Sequence, residues 1–281
     1  MMAYCIVALA LITTLKISTS EAVKVAAFNV QVLGQTKISK SDVTDTLVKI
    51  INRYDIILIQ EIRDSKGDAI NILLERVNAI TEGDTDDYEM VISERLGRSS
   101  SKEQYAFFYR KNIATVKASY TYADKNDDFE REPYIVQFHI PSAAVSDLVF
   151  IAIHAKPKDA VSETDKLVDV YDDVVKKWKT KDIVILGDLN AACTYVKEMD
   201  WGKIRLANDK RFWWLIDDCQ DTTVKGSRCA YDRIIATGED LLKNIVARSP
   251  GLFDFQKAYG LDKQKAGEVS DHFPVEFQLK Q

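Results

Sequence analysis

The sequence predicts an α/β layered fold, and two observations carry that reading. Short apolar, β-branched runs alternate with amphipathic helical stretches through the first third of the chain, as expected for helices layered on a sheet. Polar, ionisable residues also recur where apolar runs begin or end. The clearest case is Lys181-Asp-Ile-Val-Ile-Leu-Gly-Asp-Leu-Asn190. Ile183 to Leu186 reads as a buried strand, Gly187 breaks it, and Asp188 and Asn190 follow with one residue between them. On an extended chain, residues i and i+2 point to one side, so the strand delivers a carboxylate and an amide together just past its end. That is where α/β sheets place chemistry. Gly, Asp and Asn favour turns in any case; repetition of the device is what sets this one apart.

The elements follow in order. Val23 to Asn29 alternates toward a strand that ends in a polar residue. Val43, Leu47, Ile50 and Ile51 have helical spacing over 41–53, with Ser41 or Asp42 as N-cap. Tyr54 to Glu61 is a buried strand finishing in a carboxylate, with Arg63 two residues on. A second helix is predicted from about Asp68 to Ile80, its core face Ile72, Leu73, Leu74 and Val77. Antiparallel strands are predicted at 88–93, 105–110 and 115–122, followed by an acidic loop from Asp124 to Glu132. Strands at 136–139 and 148–153 lead to His154, and a long helix covers Val161 to Trp178. After the Asp188 strand, helical pattern returns near 201–206 and 212–216. The last strands are 231–236 and 272–279, with Ser270-Asp271-His272 at the mouth of the final one.

The 281 residues are 46% hydrophobic and 29% charged, with no linker, low-complexity tract or repeat, which favours one large domain. The formal net charge of −5 disfavours a nucleic-acid binder held by basic patches alone. A polyanionic substrate would need its charge answered by divalent metal ions. Ala3 to Leu15 is apolar but short for a bilayer span, and small residues follow at Ser18, Ser20 and Ala22. This is the layout of a cleaved secretory signal over 1–20, leaving 21–281 as the folded domain. The expectation is a secreted, extracellular protein without stable membrane association. Once Cys5 leaves with the signal, Cys193, Cys219 and Cys229 remain, which allows at most one internal disulfide and leaves one free thiol. A bridge between Cys193 and Cys229 would tie two candidate site loops together.

Asn29, Glu61, His154, Asp188 and Asn190 all follow apolar strands, while Asp232 and Asp271-His272 precede them. Antiparallel neighbours bring one strand's end beside the next strand's start, so these groups can share one sheet edge. Two of the chain's three histidines sit at such points; His139 reads as a surface or strand residue. Carboxylates and amides without thiolate ligands suit hard cations such as Mg²⁺, Mn²⁺ or Ca²⁺. Histidines within reach of carboxylates suit proton transfer near neutral pH. Zinc would need more clustered His and Cys, and no G-x-S-x-G elbow is present. The inventory matches the needs of phosphodiester hydrolysis: deprotonating water, protonating the leaving oxygen and neutralising the phosphoryl charge.

Gln60-Glu61-Ile-Arg63-Asp64-Ser65, Ile153-His154-Ala-Lys-Pro157, Gly187-Asp188-Leu-Asn190-Ala191, Cys229-Ala-Tyr231-Asp232-Arg233 and Ser270-Asp271-His272-Phe-Pro274 occur in that order. With Arg131-Glu-Pro133 and Phe253-Asp-Phe-Gln-Lys-Ala-Tyr-Gly260, the chain from about Val25 onward resembles the DNase I family of the endonuclease/exonuclease/phosphatase superfamily. The resemblance implies a four-layer α/β/β/α sandwich with two central mixed β-sheets flanked by helices. It implies a monomeric endonuclease cutting double-stranded DNA to 5′-phosphate ends with Ca²⁺ and Mg²⁺ (or Mn²⁺). By the same resemblance Glu103 with His154, and Asp232 with His272, are the catalytic pairs. Asn29, Glu61, Asp188 and Asp271 match metal-binding and phosphate-orienting positions. Asn190, Arg63, Arg131, Tyr195 and Tyr231 match phosphate or DNA contacts, and Cys193 and Cys229 the disulfide. Asp221 and Thr223 match one structural calcium loop; Asp124, Asp127, Phe129 and Glu132 sit where a second one lies. Departures have consequences. Ser101 stands where the family often has a minor-groove tyrosine, Lys225 falls inside the first calcium loop, and Met90, Ile92 and Tyr134 replace actin-contact residues, which argues against tight actin binding. Two other readings compete: a superfamily phosphodiesterase for a lipid or inositol headgroup, which an exposed apolar docking loop would favour, and an inactive DNA-binding or toxin-like module.

Overall fold

The computed structural model describes residues 22–80 and 87–281; the segment expected as a secretory signal lies outside them. Among the described residues, twelve strands form two mixed six-stranded sheets. The first contains β1 (Val23–Leu33), β2 (Ile56–Ile62), β3 (Tyr88–Ile92) and β4 (Gln104–Arg110). The second contains β5 (Thr115–Thr121), β6 (Tyr134–His139), β7 (Asp147–His154), β8 (Ile183–Asp188), β9 (Trp213–Trp214) and β10 (Asp232–Thr237). The chain then returns to the first sheet for β11 (Gly251–Leu252) and β12 (Val275–Leu279). The orders are β11-β12-β1-β2-β4-β3 and β5-β6-β7-β8-β10-β9.

Period-two patterning builds the layers. Along β1, Val25 and Ala27 face the core between the sheets, whereas Ala26, Phe28 and Val30 face the helices. The inter-sheet core joins Leu58 and Phe107 to Phe138, Phe150, Leu186 and Ile234, with Phe107 and Phe138 edge-on at 5.8 Å between ring centroids. Burying each such side chain contributes about 1.5–3 kcal/mol. The first sheet's outer face is covered by the short helix α1 (Gln35–Ile38), by α2 (Ser41–Ile51) and by α3 (Asp68–Asn78). The second sheet's outer face is covered by α4 (Ala160–Trp178) through Leu167, Val170, Tyr171 and Val174. The result is the expected α/β/β/α sandwich.

Several local expectations are corrected. The strand expected to end at Asn29 runs on to Leu33 through a bulge, with register shifting between Asn29 and Leu33. The strands at 104–110 and 115–121 are not neighbours; the chain crosses between sheets there, and β5 pairs with β6. The segment 212–216 is an edge strand rather than a helix: Trp213 and Trp214 pair with Ala236 and Ile235. Its neighbours are divided between layers, Phe212 toward the helical side and Ile216 toward the inter-sheet core, so apolar residues four apart mimic helical spacing. Neither Ser41 nor Asp42 caps α2; Lys40 holds that position without a side-chain cap, and Asp42 lies in the first turn. Among the described residues, no helix is long and apolar enough to cross a membrane.

Each sheet contains one parallel pair, β1 with β2 and β7 with β8. The C-terminal ends of both pairs, and the starts of their antiparallel neighbours β4, β10 and β12, lie at the same end of the sandwich. That end carries every polar residue singled out at a strand terminus.

Candidate active site

Strand register brings the first groups together. His154 is paired with Asp188 across β7 and β8, and Asp188 with Asp232 across β8 and β10. Two histidine–carboxylate pairs result. His154 Nδ1 lies 2.8 Å from Glu103 Oε2, and His272 Nδ1 lies 2.7 Å from Asp232 Oδ2. Each carboxylate fixes the ring so that Nε2 faces the site, and both Nε2 atoms approach one oxygen. Asp188 Oδ2 is 3.6 Å from that of His154 and 3.7 Å from that of His272. Asp232 is seated by Thr222, whose hydroxyl donates to its Oδ2 at 2.8 Å.

The oxygen-rich set is contiguous with these pairs. Asn29 Nδ2 donates to Glu61 Oε1 (3.0 Å) and to Asp188 Oδ2 (3.1 Å), so one amide gathers two carboxylates from different sheets. Asn190 donates its backbone N–H to Asp188 Oδ1 (2.9 Å) and its side chain to Ala155 O (3.0 Å). Asp271 Oδ1 stands 3.8 Å from His272 Nε2. Converging hard oxygens of net negative charge fit Mg²⁺, Mn²⁺ or Ca²⁺. A second arrangement, Asp188, Asp232 and His272, also places one ligand atom from each within 4.8 Å of the others. There Asp232 Oδ2 is already committed to His272 and Thr222; in the other set Glu61 and Asp188 accept from the Asn29 amide, whose own oxygen accepts from Gln31 N.

Electrostatics follow from burial against pairing. For His272, burial opposes the charge, but Asp232 and Asp188, with help from Asp271, raise its pKa to about 10. Burial pushes the Asp232 carboxyl up, against the pull of His272. Glu103 is held below the usual carboxylate range: burial opposes this, and the His154 hydrogen bond, Arg131 and Arg63 outweigh it.

The DNA-contact candidates divide. Tyr195 and Tyr231 are neighbours at the rim, their rings 5.4 Å apart, and Tyr231 lies 6.5 Å from the His272 ring. Arg63 is partly exposed, 3.9 Å from Glu103 Oε1. Arg131 is buried and acts as a brace, donating to His154 O at 3.0 Å and lying 3.6 Å from Glu103. Ser101 is exposed. Cys193 and Cys229 form the disulfide, with Cα atoms 5.8 Å apart, and Cys219 is free and exposed.

The two calcium-loop candidates differ. Asp221 Oδ1 accepts from Thr223 N, Thr223 Oγ1 (2.6 Å) and Cys229 N, and Thr223 Oγ1 also meets Ser227 Oγ at 2.7 Å. This is a compact oxygen cluster closed by its own hydrogen bonds around one carboxylate. In the acidic loop, Asp124 accepts from Phe129 N (2.8 Å), and Asp127 Oδ1 takes Arg98 Nε (2.8 Å). Asp128 pairs with Lys166 (3.3 Å) and Glu130 with Lys156 (2.9 Å), so protein cations already answer much of that charge. Glu132 is half-buried at its end. Of the actin-contact positions, Tyr134 turns into the inter-sheet core, so its bulk is not offered to a partner; Met90 and Ile92 are half-buried on β3.

Gln60 opens one of the family motifs without a role of its own being assigned by the resemblance. Fully buried, it donates to Ile153 O (2.7 Å) and accepts from Asp188 N (3.1 Å), joining the two sheets beneath the site. Its signal was a lone amide inside an apolar strand. Gly187 makes room for it: with φ +134°, a Cβ there would fall 2.2 Å from Ile153 O and 2.8 Å from Gln60 Nε2. Tyr105 and Ser270 also support the site, the first accepting from His154 N (2.8 Å), the second donating to Asn29 O (2.6 Å).

The family model described as Endonuclease/Exonuclease/phosphatase family matches residues 26–272. Human deoxyribonuclease gamma is 46% identical over 276 residues, covering 96% of this chain and 90% of the relative. Horse deoxyribonuclease-1 is 46% identical, covering 96% of each chain. Among solved structures, D. rerio TDP2 complexed with single strand DNA product superposes with a TM-score of 0.64 at 16% identity, covering 92% of this chain and 99% of that one. The human Nocturnin catalytic domain with bound sulfate anion gives 0.59 at 14%, covering 92% and 93%. These last two share the fold. Sequence identity sustained across nearly the whole chain goes further: this protein belongs to the endonuclease/exonuclease/phosphatase family and, within it, to the DNase I family.

Proposed function

We propose that this protein is a secreted, monomeric endodeoxyribonuclease that hydrolyses phosphodiester bonds of double-stranded DNA to 5′-phosphate ends. The observation that carries it is the pair of histidines, each oriented by a buried carboxylate, whose Nε2 atoms stand 3.6 and 3.7 Å from a single Asp188 oxygen. One imidazole takes a proton from water and the other gives one to the departing 3′-oxygen. Glu103 and Asp232 hold the rings and stabilise the charged forms. Glu61, Asp188, Asn29 and Asp271 would hold Mg²⁺ or Mn²⁺, which neutralises phosphoryl charge when bound. Asn190 and the rim residues Arg63, Tyr195 and Tyr231 orient the phosphate and its neighbouring nucleotides. Arg131 supports His154 from behind. Asp221 and Thr223 would hold a structural Ca²⁺. The deoxyribonuclease names of the 46%-identical relatives support the choice of substrate.

The test is nicking of supercoiled plasmid by the purified chain lacking residues 1–20, with Ca²⁺ plus Mg²⁺, with EDTA, and with His154→Ala. Metal-dependent nicking that the variant loses is the expected result. A folded protein that nicks under none of several metals would overturn the proposal.

A further inference from the structure

The bulge that carries Asn29 into the site has an unfavourable backbone. Gln31 and Val32 both adopt left-handed conformations (φ +50° and +57°), as does Glu61 opposite them (φ +58°). β-Branched residues rarely do so. Site side chains hold this shape: Asn29 Oδ1 accepts from Gln31 N (2.9 Å), and Glu61 Oε2 accepts from Val32 N (2.9 Å). The third tie is Lys37, on α1. Its Nζ donates to Val30 O at 2.6 Å, one residue beyond Asn29. The same ammonium donates to Val269 O at 2.9 Å, although 232 residues separate the two in sequence. Val269 ends the helix Lys263–Val269 and immediately precedes Ser270-Asp271-His272.

One charged group therefore clasps the backbones of the two segments that supply Asn29 on one side and Asp271 and His272 on the other. Around it, α1 is itself anchored, Gln35 Nε2 donating to Asp64 Oδ2 (2.8 Å) and Ile38 buried among core residues. Burial lowers the Lys37 pKa to about 8 against the opposing pull of Asp271 and Glu61, so this ammonium carries a desolvation cost that an apolar side chain would not. Charge-assisted bonds to carbonyls are strong and directional, which suits a clasp that sets a distance.

We propose that Lys37 is a positioning residue for the reaction: its ammonium fixes the spacing between the Asn29–Glu61 corner and the Asp271-His272 segment. The inference rests on the endonuclease reading of that site. Misplacing reacting groups by about 1 Å can cost on the order of a hundredfold in rate.

The experiment compares the wild type with Lys37→Met and Lys37→Arg in plasmid nicking at saturating Mg²⁺ across DNA concentrations, alongside amide hydrogen exchange of the metal-free proteins. Lys37→Met should lose about ten- to a hundredfold in kcat with KM within about twofold. Lys37→Arg should recover a large part of that loss. Exchange should accelerate over residues 29–33 and 269–272 in Lys37→Met, with β7 and α4 unchanged. A folded Lys37→Met that keeps wild-type kcat, or one whose defect is in KM alone, overturns the proposal. If Lys37→Met does not fold, Lys37→Gln carries the same comparison. If the folded wild type does not nick, the endonuclease reading fails, and the exchange comparison still decides whether the clasp exists.

Discussion

Asp188 is the residue on which the site turns. Its two oxygens accept from Asn29 and Asn190, and one of them faces both catalytic-pair imidazoles. On the proposed mechanism, removing either histidine deletes one proton-transfer group and leaves the sheets intact. His154→Ala and His272→Ala should each lower nicking by about 10²–10⁴-fold with unchanged circular dichroism; near-wild-type nicking by either would contradict the assignment. His272 also makes a prediction about stability. Its pKa is raised from 6.5 to about 10, so between those values the native state binds more protons than the unfolded one. The stability it contributes is complete below pH 6.5 and lost as pH rises through about 10. Denaturant midpoints of the wild type and His272→Gln should therefore converge on going from pH 6.5 toward 10, and a constant gap would exclude the ion pair.

At the scale of elements, α4 offers a pH-dependent test of its own. Glu163 is fully buried on it, one oxygen accepting from Glu130 N at 3.2 Å and the other without a hydrogen-bond partner. Burial, only partly offset by the backbone N–H groups of Glu130 and Lys156 and by Arg131, raises its pKa to about 7. The native state thus holds this proton more tightly than the unfolded chain, and stability falls as pH rises from 4.5 to about 7. Glu163→Gln removes the ionisation while keeping an acceptor for Glu130. It should raise Tm at pH 8 by on the order of 2–4 °C and change it little at pH 5. Equal effects at both pH values would count against a buried ionisation. The end of β8 is the other sensitive element. Gly187→Ala places a Cβ against the Ile153 carbonyl and Gln60, and should cost about 2–3 kcal/mol or more in urea denaturation.

At the scale of the molecule, the two sheets are pressed together by aromatic packing and registered at the site end by Gln60. The Cys193–Cys229 disulfide ties the loop after β8 to the loop before β10, 36 residues apart. Replacing both cysteines by Ala should cost about 3–4 kcal/mol in the chain-entropy model. Because the bridge lies beside the site rather than in it, kcat of the surviving folded enzyme should change little. The formal charge of −5 means that DNA is not held by an overall basic surface. EDTA should therefore abolish nicking, and restored Mg²⁺ or Mn²⁺ should recover it.

How much of this was legible in the chain depends on the range over which each feature is decided. The strand read at 183–186, which runs on through Gly187 to Asp188, and the helix read over 41–53, which ends at Ile51, declare themselves by local pattern. His154, Asp232 and His272 lie next to such runs, so the sequence alone located the strand termini where they assemble, whereas Glu103 was reached only through the family resemblance. It also identified the motifs of the family and the pairing of imidazole with carboxylate; that Asn29 gathers Glu61 and Asp188 was decided by the tertiary structure. Local pattern could not say that β4 and β5 belong to different sheets, because pairing across a crossover depends on which partner completes a buried face. Nor could it place Trp213 and Trp214 on an edge strand, since helical spacing and division between two layers look alike there. The bulge at Gln31 and Val32, the Gln60 tie and the Lys37 clasp are decided by the tertiary structure alone. Each exists only where backbone groups distant in sequence meet, and the free energy that selects it comes from satisfying those buried groups together.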